Sequence, residues 1–350
     1  MAHVGVLPVS LIPKVELHRH LEGSVRFETA WEWAQRSPTL GGISRNELRA
    51  QIQFDGVVGY DRFLKKFETL RQLYYDPAAI AQVMREAVED AARDNVYYLE
   101  LRLSPDHFAK QAGFDFHETA ELLFRTGQTT AQGLGIQVRY LCTITRNYTP
   151  ETCERILDIA LRYRDLGVVG FDLAGNEFLD TGDHVRALLK RASVEGLGVS
   201  VHAGEAGSPE PVWTAIDTLY ANRIAHGVAS VQDPALMSAL QERNILLEVC
   251  PTSNLHTGAA DHAAAHPLRE LVQAGVRVSV GTDDPSISRI TLSDEYAFAV
   301  EVAGLNHAQL YDSILDGARA TFLPDAEKAS LVAQLTEELS QLTMNDNLTP

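Results

Sequence analysis

The residues best suited to chemistry fall in a few short stretches: His18 and His20 in ELHRH, His202 and Glu205 in HAGE, His226 in IAHG, and Asp283 with Asp284 in GTDDP. Side chains on a strand alternate with period two, so His18 and His20 project to one face. A lone histidine at a strand end is usually a structural hydrogen-bonder, but a converging pair is half of a metal site. Joined by His202 and Asp283, the pair makes a ligand set of three imidazoles and a carboxylate. That set suits one Zn2+ per chain and leaves a coordination position for water, whose pKa falls to about 7 on the ion. Glu205 lies too close to His202 in sequence to be an obvious further ligand. It reads as a general acid, against the plainer alternative of a carboxylate favoured by a helix N-terminus. His226 is a candidate general base or an orienter of the water, with a structural role as the alternative. Asp283 and Asp284 are adjacent and cannot both face one way on a strand, so one can bind metal while the other turns to a ligand.

Residues so far apart need a scaffold that gathers them. Short β-rich runs occur at Lys14–His20, Tyr97–Leu103, Ile136–Ile144, Val168–Leu173, Gly198–His202, Arg223–His226, Ile245–Val249 and Arg277–Gly281. Between most of them lie helical patterns such as Pro77–Arg93, Glu151–Leu166, Gly182–Glu195 and Pro234–Arg243. Strands alternating with helices predict an α/β fold, a (β/α)8 TIM barrel, and in such a barrel the carboxyl ends of all strands face one mouth. Every stretch named above ends one of these strands, as do DLAG and VCPTSN. A doubly wound open sheet is the competing architecture, but no Gly-rich nucleotide turn follows an early strand. Helical stretches around Phe27–Gln35 and Asp61–Tyr75, and others across 286–345, predict additional helices after strand one and at the C-terminus. No linker composition interrupts residues 10–330, so residues 1–350 read as a single domain with a core of about 11–324.

Composition narrows the partners. The formal net charge is -17 with no basic run, which disfavours nucleic acid and suits a neutral small molecule. Three widely spaced cysteines, Cys142, Cys153 and Cys250, argue against a disulfide framework and for a reducing compartment. The N-terminus lacks a signal-peptide pattern and no run of apolar residues is long enough to span a bilayer, so a cytoplasmic protein with no membrane contact is expected.

In their order along the chain, PKVELHRHLEGS, YLELRLSP, DLAGNE, HAGE, RIAHG, CPTSN and GTDDPS closely resemble the adenosine deaminase family of the amidohydrolase superfamily, from about Leu11 to Pro324. The resemblance implies that His18, His20, His202 and Asp283 bind zinc and that the substrate is a purine, most directly adenosine. It implies that Glu205 protonates purine N1, that His226 positions and deprotonates the zinc water, and that hydroxide, held also by Asp283, adds to C6 before ammonia leaves. Asp284 would contact N7 and the Gly175 backbone N–H would contact N3. His20 would also border the substrate. YDRFLKKF resembles the family's gate helix, with Tyr60, Phe63, Leu64 and Phe67 on one face; ordinary core packing is the alternative, and Phe63 and Leu64 are the expected pocket residues. Glu22 in HLEG stands where animal-type members carry Asp against the ribose, a feature shared with the adenine deaminase branch. CPTSN is closer to bacterial adenosine deaminases. Adenine and 6-aminodeoxyfutalosine are therefore the alternative substrates.

His184, His256, His262, His266 and His307 lie away from strand ends and read as surface or structural, whereas His107 follows LSPD and stays open. Trp31 and Trp33 read as core, and Cys250, with no base nearby in sequence, reads as a buried small residue. A binuclear amidohydrolase would need a bridging Lys or Glu at the end of strand four, where FDLAG has no lysine. A silent binding protein would have lost at least one of the six metal and proton-transfer residues, and all are present.

Overall fold

The computed structural model describes residues 8–54, 56–57, 59–110 and 113–346. Eight short runs rich in Val, Ile, Leu and aromatic residues form β1 (Lys14–His20), β2 (Val96–Leu103), β3 (Gln137–Thr145), β4 (Val168–Ala174), β5 (Gly198–Ala203), β6 (Arg223–His226), β7 (Leu246–Val249) and β8 (Val278–Val280). They pair in parallel, each with its successor, in the order β1 to β8. Almost every strand position is buried, as expected for a parallel sheet with helices outside and packed side chains inside. The ring closes between β8 and β1 by one parallel bridge, Arg19 with Asp283. There the Asp283 N–H donates to His18 O at 2.9 Å and the His20 N–H donates to Asp283 O at 2.8 Å. This is the expected (β/α)8 barrel.

Helices Phe27–Arg36, Arg45–Ile52 and Tyr60–Arg71 occupy the long crossover after β1, and His307–Ala320 and Asp325–Asp346 follow β8. Two helix ends differ from the sequence reading by several residues. The helix expected over Asp61–Tyr75 stops at Arg71, where the chain turns so that Leu73 and Tyr74 are buried. The one expected over Glu151–Leu166 runs Pro150–Arg162 and breaks at Tyr163 into a short 3-10 turn. Tyr163 packs against Phe124, with ring centroids 5.8 Å apart, so burial of this ring overrides the helical period. Among the described residues no helix is long and apolar enough to cross a membrane.

Below the mouth, the inside of the barrel is charged rather than apolar. Arg102 of β2 donates to Asp172 of β4 at 3.0 Å, to Leu17 O at 3.0 Å and to Glu248 of β7. Arg223 of β6 pairs with Glu100 of β2 and, through Nε, with Glu248 Oε1 at 2.7 Å. Tyr98 donates to Glu100 Oε1 at 2.7 Å. None of these residues is exposed beyond 1 %. Burial alone would raise Glu248, but Arg102 and Arg223 outweigh it and hold the carboxyl well below its ordinary range. Removing one partner from such a set leaves a buried charge uncompensated. Arg102→Met is therefore expected to destabilise the fold by about 3–5 kcal/mol, read as a lowered urea midpoint at unchanged m-value.

Candidate active site

The barrel topology brings His18 and His20 (end of β1), His202 (β5), His226 (β6) and Asp283 (just after β8) to one buried point. Asp283 Oδ1 lies 3.2 Å from His18 Nε2 and 3.4 Å from His20 Nε2, and His20 Nε2 lies 3.2 Å from His202 Nε2. Four donors around a zinc-sized ion at about 2.0–2.1 Å sit about 3.3 Å apart on tetrahedral edges. The three spacings observed match edges of such a shell. Both ring nitrogens of His18 are buried with no hydrogen bond formed, so Nε2 is open to a metal ion. These four residues could thus hold a metal ion.

Two wider groupings overlap this set: His18, His202, His226 and Asp283, and His20, Asp172 and His202, each with donor atoms within 4.8 Å of one another. The remote ring nitrogens separate ligands from neighbours. His18 Nδ1 faces Glu248 Oε2 at 3.2 Å, and His202 Nδ1 faces Asp172 Oδ1 at 3.1 Å and Leu173 O at 3.2 Å. A carboxylate behind a histidine draws the proton to the remote nitrogen and leaves the other bare for metal, the usual arrangement around bound ions. Asp172 itself is engaged by Arg102 and by Thr143 Oγ1 at 3.1 Å, so it acts behind His202. Ser253 Oγ donates to Asp283 Oδ2 at 2.6 Å and leaves Oδ1 toward the imidazoles.

The backbone here is strained. Asp283 has φ 60° and His226 has φ 67°, in the left-handed region that costs a non-glycine residue about 1–3 kcal/mol. The barrel closure holds Asp283 in place, and the Gly227 N–H bound to Ala203 O at 3.0 Å holds the chain at His226.

Two further carboxyls border the metal donors. Glu205 is 6 % exposed, its Oε1 has no partner, and its Oε2 lies 3.4 Å from His226 Nε2. Burial, then the charges of Asp283 and Glu177, push its carboxyl well above the ordinary range. Asp284 is raised in the same way by burial and by Asp283, Glu22 and Glu205, and its Oδ1 is also unpartnered. Both are thus pushed toward the protonated form, in which a carboxyl can donate a hydrogen bond. For Asp283 burial also pushes upward, but contacts with His18, His226 and His20 outweigh it and keep the carboxyl ionised.

A cavity of about 710 Å3 opens over these groups. His20, Glu22, Gly175, His202, Glu205, His226, Asp283 and Asp284 all line it. So do Tyr60, Phe63, Leu64 and Phe67 from the expected face of the helix Tyr60–Arg71. Tyr60 OH donates to Gly175 O at 3.0 Å and ties that helix to the loop after β4. Gly175 has φ 83°, a conformation that favours glycine. Glu22 Oε1 accepts from the Ser104 N–H at 2.8 Å and lies 3.2 Å from His107 Nδ1, while Oε2 is buried and free. His107, left open above, thus belongs to the cavity.

Sequence reasoning missed the groups that act from behind. Asp172, Glu248 and Arg102 stand at inward strand positions, and charged residues inside a barrel were the signal that could have found them. Ser253 and Asn254 were quoted in CPTSN without a role. His266, read as surface or structural, is structural: it is 5 % exposed and its Nε2 lies 3.3 Å from Asn254 Oδ1, whose amide meets His226, so it borders the site through one residue. Its position on a connecting segment hid this. Cys250 is buried, and burial lifts its thiol well above the ordinary range, which suits a packed residue and not a nucleophile.

The family model described as adenosine deaminase matches residues 13–338. An adenosine deaminase from Shewanella denitrificans is 36% identical over 324 residues, covering 92% of this chain and 98% of that protein. The crystal structure of an amidohydrolase from Burkholderia ambifaria with bound Zn superposes with a TM-score of 0.89 at 27% identity, covering 99% of this chain and 96% of that one. An arabidopsis N6-mAMP deaminase superposes with a TM-score of 0.85 at 29% identity, covering 94% and 99%.

Asp284 packs directly over Gly23, where an added Cβ would lie 1.8 Å from its Oδ1 and 2.4 Å from its Cγ. Gly23→Ala is expected to displace this carboxyl and cost about 1–3 kcal/mol of ligand binding. Metal content measured on the same preparation separates loss of the Asp284 contact from damage to the neighbouring donor Asp283.

Proposed function

The chain belongs to the adenosine deaminase family, hydrolases acting on C–N bonds, and from that premise we propose that it deaminates adenosine, and 2'-deoxyadenosine, to the inosine nucleoside and ammonia. The observation that carries this reading is the close approach of the donor atoms of His18, His20, His202 and Asp283 beside two buried carboxyls pushed toward the protonated form. A zinc ion held by those four would acidify water to a pKa of about 7 and so supply a nucleophile at neutral pH.

The remaining groups handle the purine. Adenine presents acceptors at N1, N3 and N7, and the cavity presents donors. Neutral Glu205 gives its proton to N1, which withdraws electron density from C6 and makes it electrophilic. Neutral Asp284 donates to N7, and the Gly175 backbone N–H donates to N3. His226 orients the attacking water. A C6–O bond forms, the C6–N bond breaks, and the attacking water gives up two protons, one to the amino group, which leaves as ammonia, and one that restores Glu205. Tyr60, Phe63, Leu64 and Phe67 cover the base and limit solvent. Glu22 offers its free Oε2 to a ribose hydroxyl, because Oε1 is already committed to Ser104 and His107.

A second reading has a specific observation behind it. Arg71 and Lys110 also line the 710 Å3 cavity, and Arg71 Nε is buried without a partner. Cations there favour a purine that carries an anionic group, such as N6-methyl-AMP or 6-aminodeoxyfutalosine. Free adenine would leave Glu22 and this arm of the cavity unfilled.

A panel of adenosine, 2'-deoxyadenosine, adenine, N6-methyl-AMP and 6-aminodeoxyfutalosine separates these readings. Adenosine is expected to show the highest kcat/KM by ultraviolet absorbance. Preference for an anionic member would move the assignment to the second reading. Elemental analysis should find one zinc per chain, with chelation abolishing turnover; two metals per chain would contradict this site. Glu205→Gln should keep the metal but lower kcat by about 10²–10⁴-fold, and near-full activity would remove Glu205 as the acid.

A further inference from the structure

His226 touches the candidate metal donors, with its ring centroid 4.7 Å from that of His18 and 5.3 Å from that of His202. Whether it binds metal, accepts a proton or donates one depends on which ring nitrogen carries hydrogen. A chain of hydrogen bonds behind it answers this, starting from a proton that cannot move. The backbone N–H of Leu268 donates to His266 Nδ1 at 3.2 Å. His266 Nδ1 is therefore an acceptor, and the proton of the neutral ring sits on Nε2. Burial keeps the ring neutral, lowering its pKa to about 4. His266 Nε2 in turn donates to Asn254 Oδ1 at 3.3 Å. That orients the Asn254 amide, whose Nδ2 donates to His226 Nδ1 at 3.2 Å. The reversed amide would need a protonated His266 Nδ1 pointed at the Leu268 N–H, two donors face to face.

We propose that His266 and Asn254 are positioning residues that hold His226 in the Nε2–H tautomer, so that it acts as a hydrogen-bond donor into the site and neither binds the metal nor serves as the base. Its Nε2–H points toward Glu205 Oε2, 3.4 Å away. The contrast with His18 and His202 is chemical. Their remote nitrogens face carboxylates and so carry the proton, leaving Nε2 bare; that of His226 faces an amide N–H and so carries none. His226, Asn254 and His266 are 1 %, 0 % and 5 % exposed, so water does not compete for these bonds. Phe298 closes the far side, its ring centroid 5.7 Å from that of His266. The catalytic consequence rests on the deaminase reading above; the tautomer does not.

The two are tested separately. Nitrogen NMR of the full-length, metal-loaded protein labelled at histidine reports ring protonation without any substrate. His226 is expected to show a bare Nδ1 and a protonated Nε2. Asn254→Asp is nearly isosteric, but its carboxylate can only accept, so it should invert the pattern to Nδ1–H. His266→Leu, which releases the amide, should mix the two tautomers and lower kcat about 10- to 100-fold with metal content unchanged. His266→Gln, which restores a donor toward Asn254, should recover most of the rate. A protonated Nδ1 on wild-type His226, or an unaltered pattern in Asn254→Asp, would overturn the proposal. If the tautomers behave as expected but no panel purine turns over, the deaminase reading fails and the relay stands.

Discussion

One guanidinium holds the site together. Asp172 Oδ1 accepts from Arg102 at 3.0 Å and faces His202 Nδ1 at 3.1 Å; Glu248 Oε2 is paired with the same Arg102 and faces His18 Nδ1 at 3.2 Å. His202 and Arg102 at Asp172, and Arg102 and Arg223 at Glu248, keep both carboxylates ionised in a dry interior, and the ionised carboxylates orient two imidazoles in the form a metal ion needs. Neither histidine could do this alone, since burial by itself favours an uncharged, unoriented ring. An apolar barrel core of equal volume would be at least as stable, because buried ion pairs seldom repay their desolvation. The charged interior therefore makes more sense as a foundation for the mouth than as a contribution to stability.

The barrel closure bears on the same point from the other side. A single bridge joins β8 to β1, and it runs through Asp283 between the two histidines of β1. The backbone at Asp283 is left-handed, so the position that completes the sheet is also strained. Two hydrogen bonds of the closure and the Ser253 hydroxyl over-determine it. His226 is strained likewise, and Asn254 and His266 stand behind it. CPTSN at the end of β7 thus serves two neighbours: Ser253 aims Asp283 and Asn254 aims His226.

Burial does more than bring the groups together. Three acids, Glu205, Asp283 and Asp284, share a small dry volume, and they cannot all ionise there. Contacts with imidazoles keep Asp283 charged, and its charge helps push the other two toward the protonated form. The site therefore holds one anion suited to a cation and two donors suited to a ring of acceptors. Glu22 is divided within one side chain, with one oxygen anchored and one free.

Much of this was legible in the residues alone. Strand-helix alternation located all eight strands to within a residue or two, and clustering of His, Glu and Asp at strand ends marked the mouth, because parallel strands in a ring point their carboxyl ends one way. His18, His20, His202, Glu205, His226, Asp283 and Asp284 could be named from that rule and from the resemblance. Tertiary structure alone decided what stands behind them. Arg102, Asp172, Glu248, Asn254 and His266 act through contacts between elements far apart in sequence, and no local period records which nitrogen of a ring meets which oxygen. Protonation followed the same division: the sequence determined which groups can titrate, whereas burial and the charges packed around each one determined which of them hold a proton.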